Sequence, residues 1–135
     1  MAISVEKLSG ESIVLVKVFN PLIPDQDIPH LLQELSRVFD NSPEPLFDIT
    51  DTSGVKMSFV DMVNAVAKVT KGDHNPLQHP NVIGYAIVAD SKLAQIGAQA
   101  LGQVKHGGIS ATIVGTFDEA LAVAREAIAS HGARL

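Results

Sequence analysis

The sequence predicts a single α/β domain built on a mostly parallel β-sheet. Short, almost uninterrupted apolar stretches alternate along the chain with longer stretches whose apolar residues recur at helical spacing. Only 4% of the residues are aromatic, so the core has to be built from aliphatic side chains, as in strands that are buried on both faces. A length of 135 residues suits one domain, and we assign residues 1–135 to it.

Five stretches have the pattern of strands. Residues 3–8 alternate between apolar and polar, and residues 13–19 are nearly all apolar, with a Ser-Gly turn between them. This pattern indicates an antiparallel first strand followed by a buried second one. Further strands are predicted at residues 46–50, 82–89 and 109–115.

Four helices are predicted between and after these strands. Apolar residues recur at helical spacing from Ile28 to Phe39, and the other three helices follow capping sequences at Ser58, Ser91 and Thr116. Residues 71–81 form the longest predicted loop. The resulting order is β-β-α-β-α-β-α-β-α, with a five-stranded sheet that is parallel except for its first strand. We expect residues 13–19 and 82–89 to be neighbours in that sheet.

Charge and composition exclude several classes of function. The net charge of −5 opposes binding to a phosphate backbone, so nucleic acid is not an expected partner. There is no cysteine, which excludes disulfides, thiolate metal sites and a cysteine nucleophile. No stretch is apolar enough for membrane insertion, and we expect a cytoplasmic protein. The mean hydropathy of +0.21 leaves room for a homodimer interface or an apolar pocket.

Polar residues are expected to gather at one edge of the sheet. Ligands of α/β proteins bind outside the carboxyl ends of parallel strands. The residues expected at this rim are Asp48, Asp51, Thr52, Gly54, Asp90 and Ser91. Helix capping explains Asp90 and Ser91 equally well. An alternative is that Asp48 and Asp51 hold a hard cation through their oxygens, in a metal-assisted enzyme.

Catalytic and cofactor motifs are missing from the sequence. It contains no Gly-x-Ser-x-Gly elbow, no Gly-x-Gly-x-x-Gly or Walker-type loop, and no histidine spacing typical of a metal site. We therefore expect a protein that is not an enzyme and that needs neither a cofactor nor a metal.

The order of elements and two longer segments resemble a known family. Residues 81–93, which run from a strand into a helix, and the Phe-Asp-Glu-Ala-Leu opening of the last helix at 117–121 are similar to STAS-like domains related to bacterial anti-sigma-factor antagonists. The similarity is closer to their uncharacterised STAS/SEC14-like relatives. This resemblance implies a regulatory or protein-interaction module, with a protein partner or a second copy of itself. The SEC14-like side of it implies, as an alternative, a binding or carrier domain for a small apolar molecule or a nucleotide.

One short segment carries a more specific resemblance. Residues 51–55, Asp-Thr-Ser-Gly-Val, are similar to the segment of true antagonists in which a partner kinase phosphorylates a serine. Ser53 occupies that place and is the candidate phosphoacceptor or switch. The segment departs from the family pattern because it follows its strand directly and is separated from the next helix. Asp-Thr-Ser-Gly is also a common turn sequence, so a plain turn is the alternative.

Overall fold

A computed structural model describes residues 3–56, 58–70, 79–102 and 111–133 of the chain. Five strands and four helices lie in these ranges. The strands are β1 (Ile3–Lys7), β2 (Ile13–Val18), β3 (Leu46–Asp51), β4 (Val82–Val88) and β5 (Ala111–Val114). The helices are α1 (Pro24–Asn41), α2 (Phe59–Thr70), α3 (Lys92–Gly102) and α4 (Phe117–Ala133).

The strands form one sheet in the order β1-β2-β3-β4-β5, with β1 antiparallel to β2 and the other pairs parallel. The predicted fold class and element order are confirmed. The expectation that residues 13–19 and 82–89 are neighbours is wrong, because β3 lies between β2 and β4 and pairs with both. Each crossover helix moves the chain across by one strand only, so strand order in space follows strand order in sequence.

The helix and strand ends differ little from the predicted ones, with α1 as the main exception. This helix begins at Pro24, because proline suits the first helical position and the Asp27 carboxylate accepts a hydrogen bond from the Ile23 amide at 2.7 Å. For β5, residues 109 and 110 of the predicted strand lie outside the described residues. The same holds for residues 71–78 of the predicted loop.

The sequential strand order places three helices on one face of the sheet. Successive crossovers of the same hand keep α1, α2 and α3 together on what we call the three-helix face. The last helix, α4, follows β5 and packs on the opposite face, mainly against β3 and β4, which we call the α4 face. Because side chains alternate along a strand, each face receives every second strand residue.

The α4 face is closely packed. Its core consists of buried apolar strand side chains and two alanines of α4 that have no exposed surface: Ile13, Leu15, Phe47, Ile49, Ala86, Val88, Ala120 and Ala124. The start of α4 is fixed by the predicted capping box. The Glu119 amide donates to Thr116 Oγ1 at 3.2 Å, and the Thr116 hydroxyl donates to Glu119 Oε1 at 3.1 Å.

Candidate functional site

The three-helix face contains a cavity of about 330 Å³ between the sheet and α1, α2 and α3. Most of its wall is apolar, and it is open to solvent on one side. The lining comprises one or more residues from each strand but β5, from each of the three helices and from the loops at the strand ends: Ile3, Val18, Leu22, Ile28, Leu31, Thr50, Thr52, Val55, Lys56, Met62, Ala65, Val69, Tyr85, Ile87, Ser91, Leu93, Ala94 and Gly97.

Small residues on α2 and α3 leave this space unfilled. Ala65 and Ala94 line the cavity at positions where a leucine would extend into it. Gly97 lets the two helices approach each other, since a Cβ atom at this position would lie only 2.9 Å from Met62 Cγ. The cavity therefore follows from residue size at a few helical positions.

The mouth of the cavity lies at the carboxyl ends of β3 and β4. Its exposed lining residues, Lys56 and Ser91, come after these two strands, and Thr52 beside them is half-buried. The opening of the cavity thus overlaps only in part with the polar rim expected from the sequence, and Asp48 of that rim is fully buried instead. Of the predicted rim residues, Thr52 and Ser91 line the cavity, while Asp51, Gly54 and Asp90 stand outside its wall.

A buried polar cluster lies where β3 and β4 form the floor of the cavity. Asp48 has no exposed surface, and Thr50 Oγ1 donates a hydrogen bond to its Oδ1 atom at 2.9 Å. The other carboxylate oxygen, Oδ2, is buried without a hydrogen-bond partner among the described residues. Tyr85 lies directly opposite Asp48 in the β3–β4 register. Thr50 and Tyr85 line the cavity, whereas Asp48, which lies beside them on the same face of the sheet, is not part of its wall.

Burial sets the ionisation of this cluster. It raises the pKa of Asp48 to about 7, against a smaller lowering by the Thr50 hydrogen bond. Burial also raises the pKa of Tyr85, and the nearby Asp48 charge adds to that rise. Asp48 therefore changes its charge near neutral pH, and the Tyr85 hydroxyl keeps its proton.

Asp48 and Asp51 do not converge on one site. They are three residues apart on β3, so their side chains leave opposite faces of the sheet. Asp51 Oδ1 instead accepts hydrogen bonds from the Ser53 amide at 2.9 Å and the Ser53 hydroxyl at 2.5 Å. In the described ranges, no three histidine, aspartate or glutamate side chains come together as a metal-binding group. The geometry thus gives no support to a cation shared by these two aspartates.

Ser53 stands in a tight turn after β3. Its side chain is exposed, and Gly54 next to it has φ +83°, a backbone conformation that favours glycine. The Val55 amide closes the turn on the Thr52 carbonyl at 3.2 Å. The segment thus has the local hydrogen bonds of the plain turn, and Ser53 remains accessible as a predicted phosphoacceptor.

Two cavity residues, Lys56 and Tyr85, were missed by the sequence reasoning. Lys56 directly follows the segment 51–55 but is not part of it, and Tyr85 occurs in an apolar strand where its hydroxyl gives no pattern. The structure shows that Asn20 holds the Lys56 loop, because its side-chain amide donates to the Gly54 carbonyl at 2.9 Å and its Oδ1 accepts from the Lys56 amide at 2.8 Å. The one signal that could have located the polar floor of the cavity was Asp48, an aspartate inside the apolar strand 46–50.

Helix capping also accounts for part of the rim. Ser91 Oγ accepts a hydrogen bond from the Ala94 amide at 3.1 Å, so this residue caps α3 as well as lining the cavity. The Thr52 hydroxyl donates to the Val88 carbonyl at 2.6 Å and ties the ends of β3 and β4 together. Both residues thus have structural roles in addition to their place in the wall.

Comparison with protein-family models, curated proteins and solved structures finds no match to this chain. Within the described part of the chain, no helix has both the length and the apolar character needed to cross a membrane.

Proposed function

We propose that this chain is a binding or carrier domain for a small apolar molecule, which it holds in the cavity on the three-helix face. The observation that carries this proposal is the cavity itself, with a volume of about 330 Å³, an apolar wall and an opening at the carboxyl ends of β3 and β4. Pockets for small ligands have volumes of roughly 300–1,000 Å³ and mostly apolar walls with a few polar groups. The cavity lies at the small end of that range.

Packing energetics support a ligand in this space. Protein interiors are close-packed and contain few voids larger than a water molecule. At about 24 cal/mol per Å³, an enclosed void of this volume would cost on the order of 8 kcal/mol, and solvent access lowers that figure. Domains of this size are stable by only about 5–15 kcal/mol. A bound apolar molecule would make contacts with the apolar wall that no protein side chain makes there.

Cavity filling provides a direct test. The unmodified protein should bind a hydrophobic fluorescent dye in the cavity. The double variant Ala65→Leu/Ala94→Leu should not bind the dye there, because two leucines occupy the space that the dye needs. Ala122→Leu makes the same kind of change at an exposed position of α4 and should bind the dye like the unmodified protein. Circular dichroism establishes that the variants are folded. Equal dye binding by all three proteins would refute the proposal.

Native mass spectrometry of the protein from its own host tests the same proposal without a probe. A small molecule should remain bound to the unmodified protein under gentle ionisation and be missing from the double variant. The mass of the released molecule would give its identity.

A second proposed function is a STAS-like regulatory module with Ser53 as its switch, supported by the exposure of this serine. A phosphate would replace the Ser53 hydroxyl that now donates to Asp51, and it would bring about two negative charges next to that carboxylate. Repulsion should open the turn and loosen the loop that carries Lys56. Intact-mass analysis of protein from its native cells tests this, and a chain without phosphate under all growth conditions would argue against it.

A further inference from the structure

The charge of the cavity wall narrows the class of ligand. We infer, resting on the proposed function, that the ligand is an anionic amphiphile: an unbranched apolar chain that lies in the cavity and ends in a carboxylate paired with Lys56 at the mouth.

The first support is the sign of the charge at the wall. The chain as a whole has 15 acidic and 10 basic residues, yet among the described lining residues Lys56 is the only charged one. No acidic residue of the described chain lines the cavity. In an otherwise acidic protein, this single positive charge in the wall favours an anionic group of the ligand next to Lys56.

The second support is that the Lys56 ammonium is available and its loop is fixed. None of the ion pairs among the described residues involves Lys56. Its backbone amide is held by Asn20, which also binds the Gly54 carbonyl, so two hydrogen bonds from one side chain position the loop at the mouth. Because the backbone of this loop is already fixed, less entropy is lost when its lysine pairs with a ligand.

The third support concerns the orientation of the ligand. At the floor, Thr50 and Tyr85 could also accept a polar head group, but the buried Asp48 lies next to them, and burial there already disfavours negative charge. A carboxylate at the floor would be desolvated and would lie beside a second acid. At the mouth it meets solvent, Lys56 and the amino-terminal end of α3, whose partial positive charge also favours an anion.

The volume limits the chain length. About 330 Å³ corresponds to roughly eleven groups of the size of a water molecule, at about 30 Å³ each. A methylene group is of similar size, so a medium-length chain such as that of decanoate fits and is the appropriate probe.

Calorimetry with two probes of equal chain length tests the inference. Decanoate and decanol are titrated into the protein at about pH 6, below the pKa of about 7 for Asp48. We expect decanoate to bind about three- to tenfold more tightly, as a partly exposed charge pair would provide. In Lys56→Gln the ratio of the two affinities should fall towards one, with only the contribution of the amino-terminal end of α3 remaining. In Lys17→Gln, which removes a lysine from the other face of the sheet, the ratio should be that of the unmodified protein.

The outcomes separate the inference from the proposed function. If decanol binds and decanoate binds no more tightly, or if Lys56→Gln leaves the ratio unchanged, the anionic class is wrong and the apolar site stands. If neither probe binds, the proposed function fails as well. As a further check, Lys56→Glu should reverse the preference and favour decylammonium over decanoate, and an unchanged order of affinities would also contradict the inference.

Discussion

The two faces of the sheet use similar residues for opposite purposes. On the α4 face, Ala120 and Ala124 bring the helix against the strands, and every buried side chain of its core is apolar. On the three-helix face, the alanines at 65 and 94 border a cavity, and buried polar groups lie among the strand residues. Small residues close one face and leave space on the other.

This difference indicates which face can bind a ligand. The α4 face has a buried and wholly apolar cluster of strand and helix side chains, which is the kind of packing that gives a domain its stability. The three-helix face contains an open cavity, a lysine at the mouth of that cavity, and a buried carboxylate in which one oxygen has no hydrogen-bond partner among the described residues. The cavity and the buried carboxylate lower the stability of the fold, and the lysine is available for an ion pair. Departures from good packing in a folded protein concentrate where binding occurs.

The largest expected effect comes from Asp48→Asn and depends on pH. Since the folded-state pKa of Asp48, about 7, lies above its ordinary value of 3.8, the folded protein keeps a proton that the unfolded chain has lost between these two values. Raising the pH through this window therefore lowers the free energy of unfolding, by on the order of 4 kcal/mol in total. The asparagine variant cannot ionise and should lack this loss. Urea unfolding at about pH 4 and pH 8 measures the difference.

A control separates this effect from a general change in charge. Asp90→Asn removes a carboxylate from an exposed position after β4, and the stability of this variant should follow the pH dependence of the unmodified protein. If the free energy of unfolding of Asp48→Asn has the same pH dependence as that of the unmodified protein, the buried Asp48 is not the group that ionises in this pH range. The buried carboxylate would then not distinguish the three-helix face from the α4 face.

The next effect contrasts overpacking on the two faces. Ala120→Leu adds volume to the α4 face, where the alanine is fully buried, and should lower the free energy of unfolding by about 1–3 kcal/mol. Ala65→Leu adds the same volume at the cavity and should cost less than about 1 kcal/mol, since space is available there. Chemical denaturation of both proteins checks this. Equal losses would mean that the cavity is not open space.

A smaller effect is expected from Thr50→Val, which removes the hydrogen bond to Asp48 with little change in shape. Loss of the only partner of the Asp48 carboxyl group among the described residues should cost about 1–2 kcal/mol above neutral pH, where the group is ionised. Since this hydrogen bond lowers the pKa of Asp48, the variant should have a pKa above that of the unmodified protein. Carbon-detected NMR of the carboxyl group measures it, and a fall in pKa would contradict the assignment.

The smallest effects come from the helix caps. Thr116→Ala at the start of α4 and Ser91→Ala at the start of α3 should each cost about 1 kcal/mol in thermal or urea unfolding. Only Ser91→Ala should also change the affinity for decanoate, because Ser91 lines the cavity and Thr116 does not. Equal effects of the two variants on affinity would mean that the mouth is placed wrongly.

The sequence predicts the elements well because each depends on local patterns. Capping residues such as Thr116, which pairs with Glu119, and Ser91 before α3 mark helix boundaries that need no tertiary information. Strand order is different, since β2 and β4 have similar apolar sequences and nothing local states that β3 lies between them. That is why their predicted adjacency was wrong.

The site was predictable only in its location at the carboxyl ends of the strands. A cavity depends on the sum of side-chain volumes from three helices and the sheet, and no single position such as Ala65 reveals it. The burial of Asp48 had a partial signal, because Leu46, Asp48 and Thr50 share one strand face and a lone acid between them is unusual in a buried strand. Lys56 gave no signal in the sequence, because its position depends on the hydrogen bond that its amide donates to Asn20, a residue that is distant in sequence.

Methyl NMR with added decanol tests the difference between the two faces most directly. Decanol should shift the methyl signals of the cavity wall, which include Leu31, Val55 and Ile87, and leave those of Ile13, Leu15 and Ile49 on the α4 face unchanged. Shifts confined to the α4 face, spread evenly over both faces, or absent at saturating decanol would contradict a binding cavity beneath the three helices.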